Sequence, residues 1–312
     1  MKKITIITPC YNEEVNIVKC VNAVKDILHT NLAHYDYEHI ICDNHSTDST
    51  RSILNEIAKN DKKVKVIFNS RNVGPFRNIW NGIKKSSGDA VIPFLPVDLQ
   101  DPPEVIPQFV DAWEQGFSVV YGVRSNRKDK FILGIFRRFY YYLVKKFSQI
   151  DIPSNAGEFL LADRSIINSI LKVDDEYPYV RGLIAQTSPK YFTVSYQWRK
   201  RSYGKSKNTF FDLMDQAING LVSTSRLPAR IASITGLVVA FTALILAIIT
   251  IVAVLISNRV LSPGIPTIIV TILFLGGANL FFLGIVGEYI LSIHAQVRKQ
   301  PPMFEEETLN FN

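Results

Sequence analysis

The sequence predicts an α/β domain, a mostly parallel sheet with helices on both faces, followed by a two-helix transmembrane hairpin. Two observations carry this. Over the first ~125 residues short apolar strands alternate with segments whose apolar residues recur at helical spacing, the order expected of a sheet covered by helices. Further on, two uncharged runs, 231–256 and 265–287, exceed the ~18 residues that mark a membrane helix.

The elements follow in order. Residues 4–8 form a first apolar strand, and Ile17, Val18, Val21, Val24 and Leu28 then repeat at helical spacing. Residues 39–42 are a second strand, and Asp48 is placed to cap a helix over 49–59. Strands at 64–68 and 90–95 enclose another helix. Pro102, Pro103 and Glu104 then open a helix where a first turn accepts proline and an acid. Residues 118–123 are a fifth strand. In such a sheet, ligands bind outside the carboxyl ends of the strands.

Between 231 and 287 the only charge is Arg259, beside Pro263, Gly264 and Pro266, a composition that suits a hairpin turn. Arg226 and Arg230 precede the first run, whereas His294, Arg298 and Lys299 follow the second. By the positive-inside rule both termini face the cytoplasm of a cell-membrane protein with two spans. The expected organisation is a cytosolic α/β domain over 1–207, a juxtamembrane helix over 208–230, spans at 231–256 and 265–287, and a cytosolic tail over 288–312. Within the first domain, residues 131–147 mix aromatics with Arg137, Arg138, Lys145 and Lys146. That pattern reads as a helix lying in the bilayer interface, with burial against the sheet as the competing reading.

Of the 312 residues 20% are charged, with a net charge of +7. Beside an apolar tail, that excess favours anionic lipid headgroups or phosphorylated substrates over nucleic acid. Three cysteines without a CxxC spacing point to a reducing compartment. After Lys2 and Lys3 only residues 4–7 are apolar before Pro9, too short for a secretory signal. The chain carries no GxGxxG, no GxSxG elbow, no GxxxxGK[ST], no HExxH and no zinc-spaced cysteine set. The polar residues at strand ends are Tyr11, Asn12, Glu13, Asp43, Asp98 and Asp101. Taken singly, each aspartate reads as a turn or cap residue. Their common position on one sheet edge points to a divalent metal holding a diphosphate, because hard oxygen ligands and phosphate oxygens can share the ion.

The segments TPCYNEE (8–14), CDNHSTDST (42–50), NSRNVG (69–74) and DLQDPPE (98–104) occur in that order, and together they resemble glycosyltransferase family 2 with its GT-A fold. AGEFLLADR (156–164), VRGL (180–183), GEYI (287–290) and the two apolar runs narrow the resemblance to the polyprenyl-phosphate glycosyltransferases. The resemblance implies a nucleotide-sugar donor, UDP- or GDP-linked, a polyprenyl phosphate acceptor such as undecaprenyl phosphate, and inversion at the anomeric carbon. It also implies a divalent cofactor, Mg2+ or Mn2+, with Asp98 as the metal ligand. Asp98 and Glu158 are the catalytic candidates; Pro9, Tyr11, Glu13, Asp43, Asp98 and Asp101 are the donor contacts. Arg181 and the basic run containing Arg199, Arg201, Lys205 and Lys207 supply cations for donor or acceptor phosphates; a solvated basic surface is the plainer reading of that run. The acceptor phosphate, with a second pKa of ~6, is largely ionised at neutral pH, so a strong general base is hardly required.

The chain also departs from the family pattern. Asn44 stands where a second aspartate is usual, and His45 replaces a glycine. Pro96 and Val97 precede Asp98, and Glu158 replaces an aspartate. Two other readings remain open: a processive polysaccharide synthase, although Gln197-Trp198-Arg199 lacks the QxxRW spacing, and a membrane-tethered sugar-nucleotide sensor without turnover. Homo-oligomer formation is left open by the sequence.

Overall fold

The computed structural model describes residues 1–125, 153, 156–173, 178–188, 190–199, 265–298 and 304–311, with scattered helical positions between 234 and 256. Two compact units emerge, one of Met1–Phe210 with Lys299–Asn312, the other of Phe211–Arg298.

In the first unit, β1 (Lys3–Cys10) lies parallel to β2 (Asp36–Asp43) over eight paired positions, and β2 lies parallel to β3 (Val64–Asn69). On the other side of β1 sits β4 (Ala90–Ile92), also parallel. Next come β6 (Ala156–Asp163), antiparallel to β4, then β5 (Val119–Ser125), antiparallel to β6, and β7 (Phe192–Gln197), parallel to β5. With β8 (Glu305–Leu309) antiparallel on β3, the sheet order is β7-β5-β6-β4-β1-β2-β3-β8. Only β6 and β8 oppose the common direction. The carboxyl ends of the other strands and the amino end of β6 therefore share one edge.

Strands buried on both faces read as continuous apolar runs, as Ile4, Ile6 and Ile7 do. One apolar cluster contains Ile4, Ile6 and Ile41 with α1 (Ile17–Asn31), α2 (Thr50–Asn60) and α4 (Ile106–Glu114). The other contains Ile7, Ile40 and Ile67 with α3 (Pro75–Lys85), α5 (Arg164–Ile170) and α6 (Val180–Thr187). The expected helices on both faces are thus present around a mostly parallel sheet of GT-A type. The helix expected from Ser49 starts at Thr50 with Ser49 in the cap position, so Asp48 stands one residue before the cap, its Oδ1 accepting the Thr50 N–H at 3.0 Å. The DPPE segment begins with a single 3-10 turn, Pro103–Val105, before α4. At Gly82 α3 approaches the sheet so closely that a Cβ would meet Ile7 Cγ2 at 2.6 Å and Cys42 Sγ at 2.8 Å.

β6 and β7 go beyond the five strands read from the sequence, and so does β8, which lies in the stretch expected to be a plain cytosolic tail. Arg51 pairs with Glu306 and Glu307, Lys85 pairs with Glu305, and Asn310 Nδ2 donates to the Ala58 and Val64 carbonyls at 2.7 Å.

In the second unit, α7 (Ile265–Arg298) contains the expected span 265–287 and continues past it. At ~1.5 Å per residue its length is about 51 Å. Phe274–Leu291 is long and apolar enough to cross a membrane, the one such helix among the described residues. The other expected span, 231–256, is described only in part; Ile234, Val238, Phe241, Ile248, Val252 and Ile256 within it are helical and exposed. The expected interfacial helix 131–147 and juxtamembrane helix 208–230 lie outside the described residues, as do Arg201, Lys205 and Lys207.

Candidate active site

The shared strand edge gathers most of the residues singled out from the sequence. Pro9 and Cys10 end β1 and lead into Tyr11, Asn12 and Glu13, while Asp43 ends β2 and leads into residues 44–49. These two loops are laced together. Asn12 N–H donates to Ser46 Oγ (2.8 Å), Thr47 N–H to Asn12 Oδ1 (2.7 Å), Glu13 N–H to Thr50 Oγ1 (2.8 Å) and Ser49 N–H to Glu14 (2.9 Å). Asn12 and His45 turn the chain with φ of 52° and 65°. Asn tolerates that left-handed region well, whereas His does so less often.

Asp43 is 1% exposed and works inside this lacing: it accepts from the Ser46 N–H (3.0 Å), the Ser46 hydroxyl and the Cys10 thiol (3.6 Å). Burial, then the neighbouring Asp43 charge, pushes the Cys10 thiol pKa well up. Tyr11, Glu13 and Pro9 are half-buried at the rim.

From β4 the chain continues beside β1, Leu95 N–H donating to the Ile7 carbonyl (2.8 Å), and reaches Asp98. Asp98 is part-exposed and its Oδ1 accepts the Gln100 N–H at 3.2 Å; Leu99 follows with φ of 54°. Asp101, three residues on, has a different environment. It is fully buried, and Arg124 from the end of β5 clasps it with Nε on Oδ1 (3.0 Å) and Nη2 on Oδ2 (2.8 Å). Tyr196 Oη adds a donor to Oδ1 at 2.5 Å. Burial works against the Arg124 charge, but the adjacent carboxylate more than offsets it, and the guanidinium pKa stands above its usual value. Burial, then the Asp101 charge, raises the Tyr196 pKa.

Glu158, near the start of β6, meets Arg181 from the first turn of α6, with Nε 3.4 Å from Oε1. Arg181 also donates to the Ala156 carbonyl (2.7 Å) and to the Tyr179 hydroxyl (3.1 and 2.5 Å). Two residues assigned separate tasks from the sequence thus form one pair. Arg124 lies against the neighbouring Gly157, where a Cβ would stand 3.2 Å from Nη2. Arg199 follows β7 and returns to the Asp98 loop: its N–H donates to the Gln100 carbonyl (3.0 Å), and its guanidinium pairs with Glu104 at 3.2 Å, both side chains exposed.

Arg124, Tyr179 and Tyr196 were missed as site residues. Arg124 had a signal in the sequence, a cation directly after an apolar strand.

Among the described residues no group of three acidic, histidine or cysteine side chains could hold a metal. A part-exposed carboxylate on the strand edge nonetheless suits Mg2+ or Mn2+, which such sites hold through one or two carboxylates plus substrate phosphates. Asp98 fits that donor set.

Comparison with known proteins shows which family the chain resembles. The model of the family described as Glycosyl transferase family 2 matches residues 5–171. The prophage bactoprenol glucosyl transferase homolog of Escherichia coli (strain K12) is 32% identical over 96% of this chain and 97% of its own length. The SfII prophage-derived bactoprenol glucosyl transferase of Shigella flexneri is 32% identical over 96% of each. The uncharacterized glycosyltransferase sll0501 of Synechocystis is 31% identical over 96% of this chain and 93% of its own. Among solved structures, the glucosyl-3-phosphoglycerate synthase of Mycobacterium tuberculosis in complex with UDP superposes with a TM-score of 0.45 at 20% identity, over 69% of this chain and 76% of that one.

Proposed function

The chain belongs to glycosyltransferase family 2, and from that premise we propose that it is a membrane-anchored, inverting transferase moving a sugar from a nucleotide sugar to polyprenyl phosphate. The observation that carries the proposal is the shared strand edge. In the sheet order, β4, which leads to Asp98, lies between β1 and β2, whose ends carry the laced loops, and β6, which carries the Glu158–Arg181 pair. Full-length similarity to proteins named bactoprenol glucosyl transferases supports the acceptor.

On this reading the laced loops and Asp98 hold the nucleoside diphosphate. Asp98 would bind Mg2+ or Mn2+, which, when bound, neutralises charge on the departing diphosphate. Arg181 holds the acceptor phosphate and keeps Glu158 oriented toward it. A phosphate oxygen then attacks the anomeric carbon from the face opposite the diphosphate, so the configuration inverts. Because that oxygen is already ionised, Glu158 contributes mainly orientation.

The apolar stretch Phe274–Leu291 of α7 supports the anchoring. The β3–β8 pairing supports a two-span topology: the chain after α7 rejoins the unit that holds the site, and a chain that leaves and returns crosses an even number of times. The run 231–256 is the natural second crossing. Cations flanking both runs support a cytoplasmic site.

The test is a single-turnover assay of the full chain with radiolabelled UDP-glucose and undecaprenyl phosphate. A lipid-linked monosaccharide is expected. Polymer would favour a processive synthase, and nucleotide binding without product a sensor.

A further inference from the structure

We propose that Asn44 is a positioning residue for the donor: its amide locks the 69–74 loop to the end of β2, and the placement of that loop sets nucleotide affinity. The proposal rests on the donor reading above and deepens it. Asn44 occupies the position where a second aspartate would resemble the family, and the structure supplies a reason for the amide.

Asn44 is 4% exposed and uses both ends of its side chain. Its Oδ1 accepts the Val73 N–H at 2.9 Å, and its Nδ2 donates to Asn72 Oδ1 at 2.8 Å. Neither amide is free to flip. A backbone N–H can only donate, so Val73 fixes the oxygen of Asn44. The Gly74 N–H, 3.0 Å from Asn72 Oδ1, fixes the oxygen of Asn72. A carboxylate at 44 would satisfy Val73 but set oxygen against oxygen at Asn72, as a buried charge.

The lock continues inward through neutral amides alone. Asn69 Nδ2 lies 3.4 Å from Asn44 Oδ1 and donates to Asn78 Oδ1 (2.8 Å). Asn78 Nδ2 donates to the Cys42 carbonyl (2.7 Å), and Asn81 Nδ2 to Asn69 Oδ1 (3.3 Å). The ends of β2 and β3 and the first turns of α3 are thereby tied together next to Asp43. The loop so held carries the exposed Arg71 and turns at Gly74, whose φ of 83° suits glycine. A cation on a loop fixed beside the strand edge serves an anionic diphosphate; on a loose loop its reach is diluted over many positions.

Asn72 is exposed, so removing its side chain tests the lock with little risk to folding. Full-length wild type, Asn72→Ala, Asn44→Ala, Asn44→Asp and the double alanine variant would be titrated with UDP and GDP, assayed for donor KM and kcat, and melted. Loss of one hydrogen bond predicts about a three- to ten-fold rise in nucleotide Kd and donor KM for Asn72→Ala, with kcat within about two-fold and little change in Tm. Asn44→Asp should bind more weakly than Asn44→Ala, and the double variant no more weakly than Asn44→Ala. Wild-type affinity in Asn72→Ala, or a loss confined to kcat, overturns the proposal while leaving the transferase reading intact. A wild-type chain that binds neither nucleotide overturns both.

Discussion

Replacing Asp101 separates a donor contact from a structural ion pair. Asp101→Ala leaves the Arg124 guanidinium beside Tyr196 and Gly157 without its carboxylate. Removing one partner of a buried pair costs about 3–5 kcal/mol. The Arg124 side chain keeps 18% exposure, which lets water take up part of the stranded charge, so the lower figure of ~3 kcal/mol applies. For a domain of this size, each kcal/mol moves Tm by about 2–4 °C, giving a fall of ~6–12 °C. Asp101→Asn keeps shape and one acceptor for Tyr196, and should lose about half as much. Differential scanning calorimetry of detergent-solubilised protein, with UDP titration at a temperature where both proteins are folded, reads the two effects separately. Nucleotide affinity should fall only modestly, through drift of the Asp98 loop. An Asp101→Ala protein that melts within ~2 °C of wild type yet no longer binds nucleotide would refute this reasoning and make Asp101 a direct donor ligand.

Asp98→Ala should abolish transfer together with the metal-dependent part of UDP binding, which titration with and without Mg2+ checks. Glu158→Gln should lower turnover by about ten-fold or more at nearly unchanged donor affinity; equal loss of nucleotide binding would move Glu158 to the donor side. His39, buried against Thr8, has its pKa lowered to about 4 by burial, so the stability it contributes is full above its unfolded value of ~6.5 and drains as pH falls toward about 4. Linkage puts the loss between pH 7 and 5 at about 2 kcal/mol, and thermal melts of His39→Gln should show a flatter pH dependence over that window. Labelling from the cytoplasmic side should reach Lys2→Cys and Asn312→Cys but not Ser262→Cys, with low background because the three native thiols are buried.

What could be read from the sequence was local. Residues 4–8 and 64–68 are mostly apolar runs whose burial follows from composition, and the turn in which Asp48 accepts the Thr50 N–H is local because it spans only two residues. What could not be read depends on distant partners. β7 alternates in and out, with Val194 and Tyr196 buried between exposed Thr193, Ser195 and Gln197, yet so short a run declares itself only beside β5. β8 opens with three glutamates, poor strand formers, and forms where Arg51 and Lys85 offset their charge along the open edge of β3. Asp98 and Asp101 are the same residue type three positions apart. Arg124 and Tyr196, 23 and 95 positions beyond Asp101, make it a buried anchor while Asp98 stays part-exposed.

The departures from the family pattern bear on whether this chain turns over. In a protein drifting toward a sensor, substituted site positions would lose their surroundings: buried carbonyls without donors, carboxylates without cations, loops without turns. Here each departure fits the backbone or the side chains around it. Asn44 meets a donor on its oxygen side and an acceptor on its nitrogen side, each polarity fixed by a backbone N–H. Glu158, one methylene longer than the usual aspartate, reaches the Arg181 guanidinium. Pro96 offers its carbonyl to the Leu99 N–H at 3.1 Å, closing the turn that presents Asp98. His45 adopts the left-handed conformation of the glycine it replaces, and the Asp43–Ser46 turn around it stays closed. On the proposed assignment, side chains matched in shape and polarity on both the donor and the acceptor side are what a reaction needs to hold its two substrates in register, and a binding module would need only the donor half.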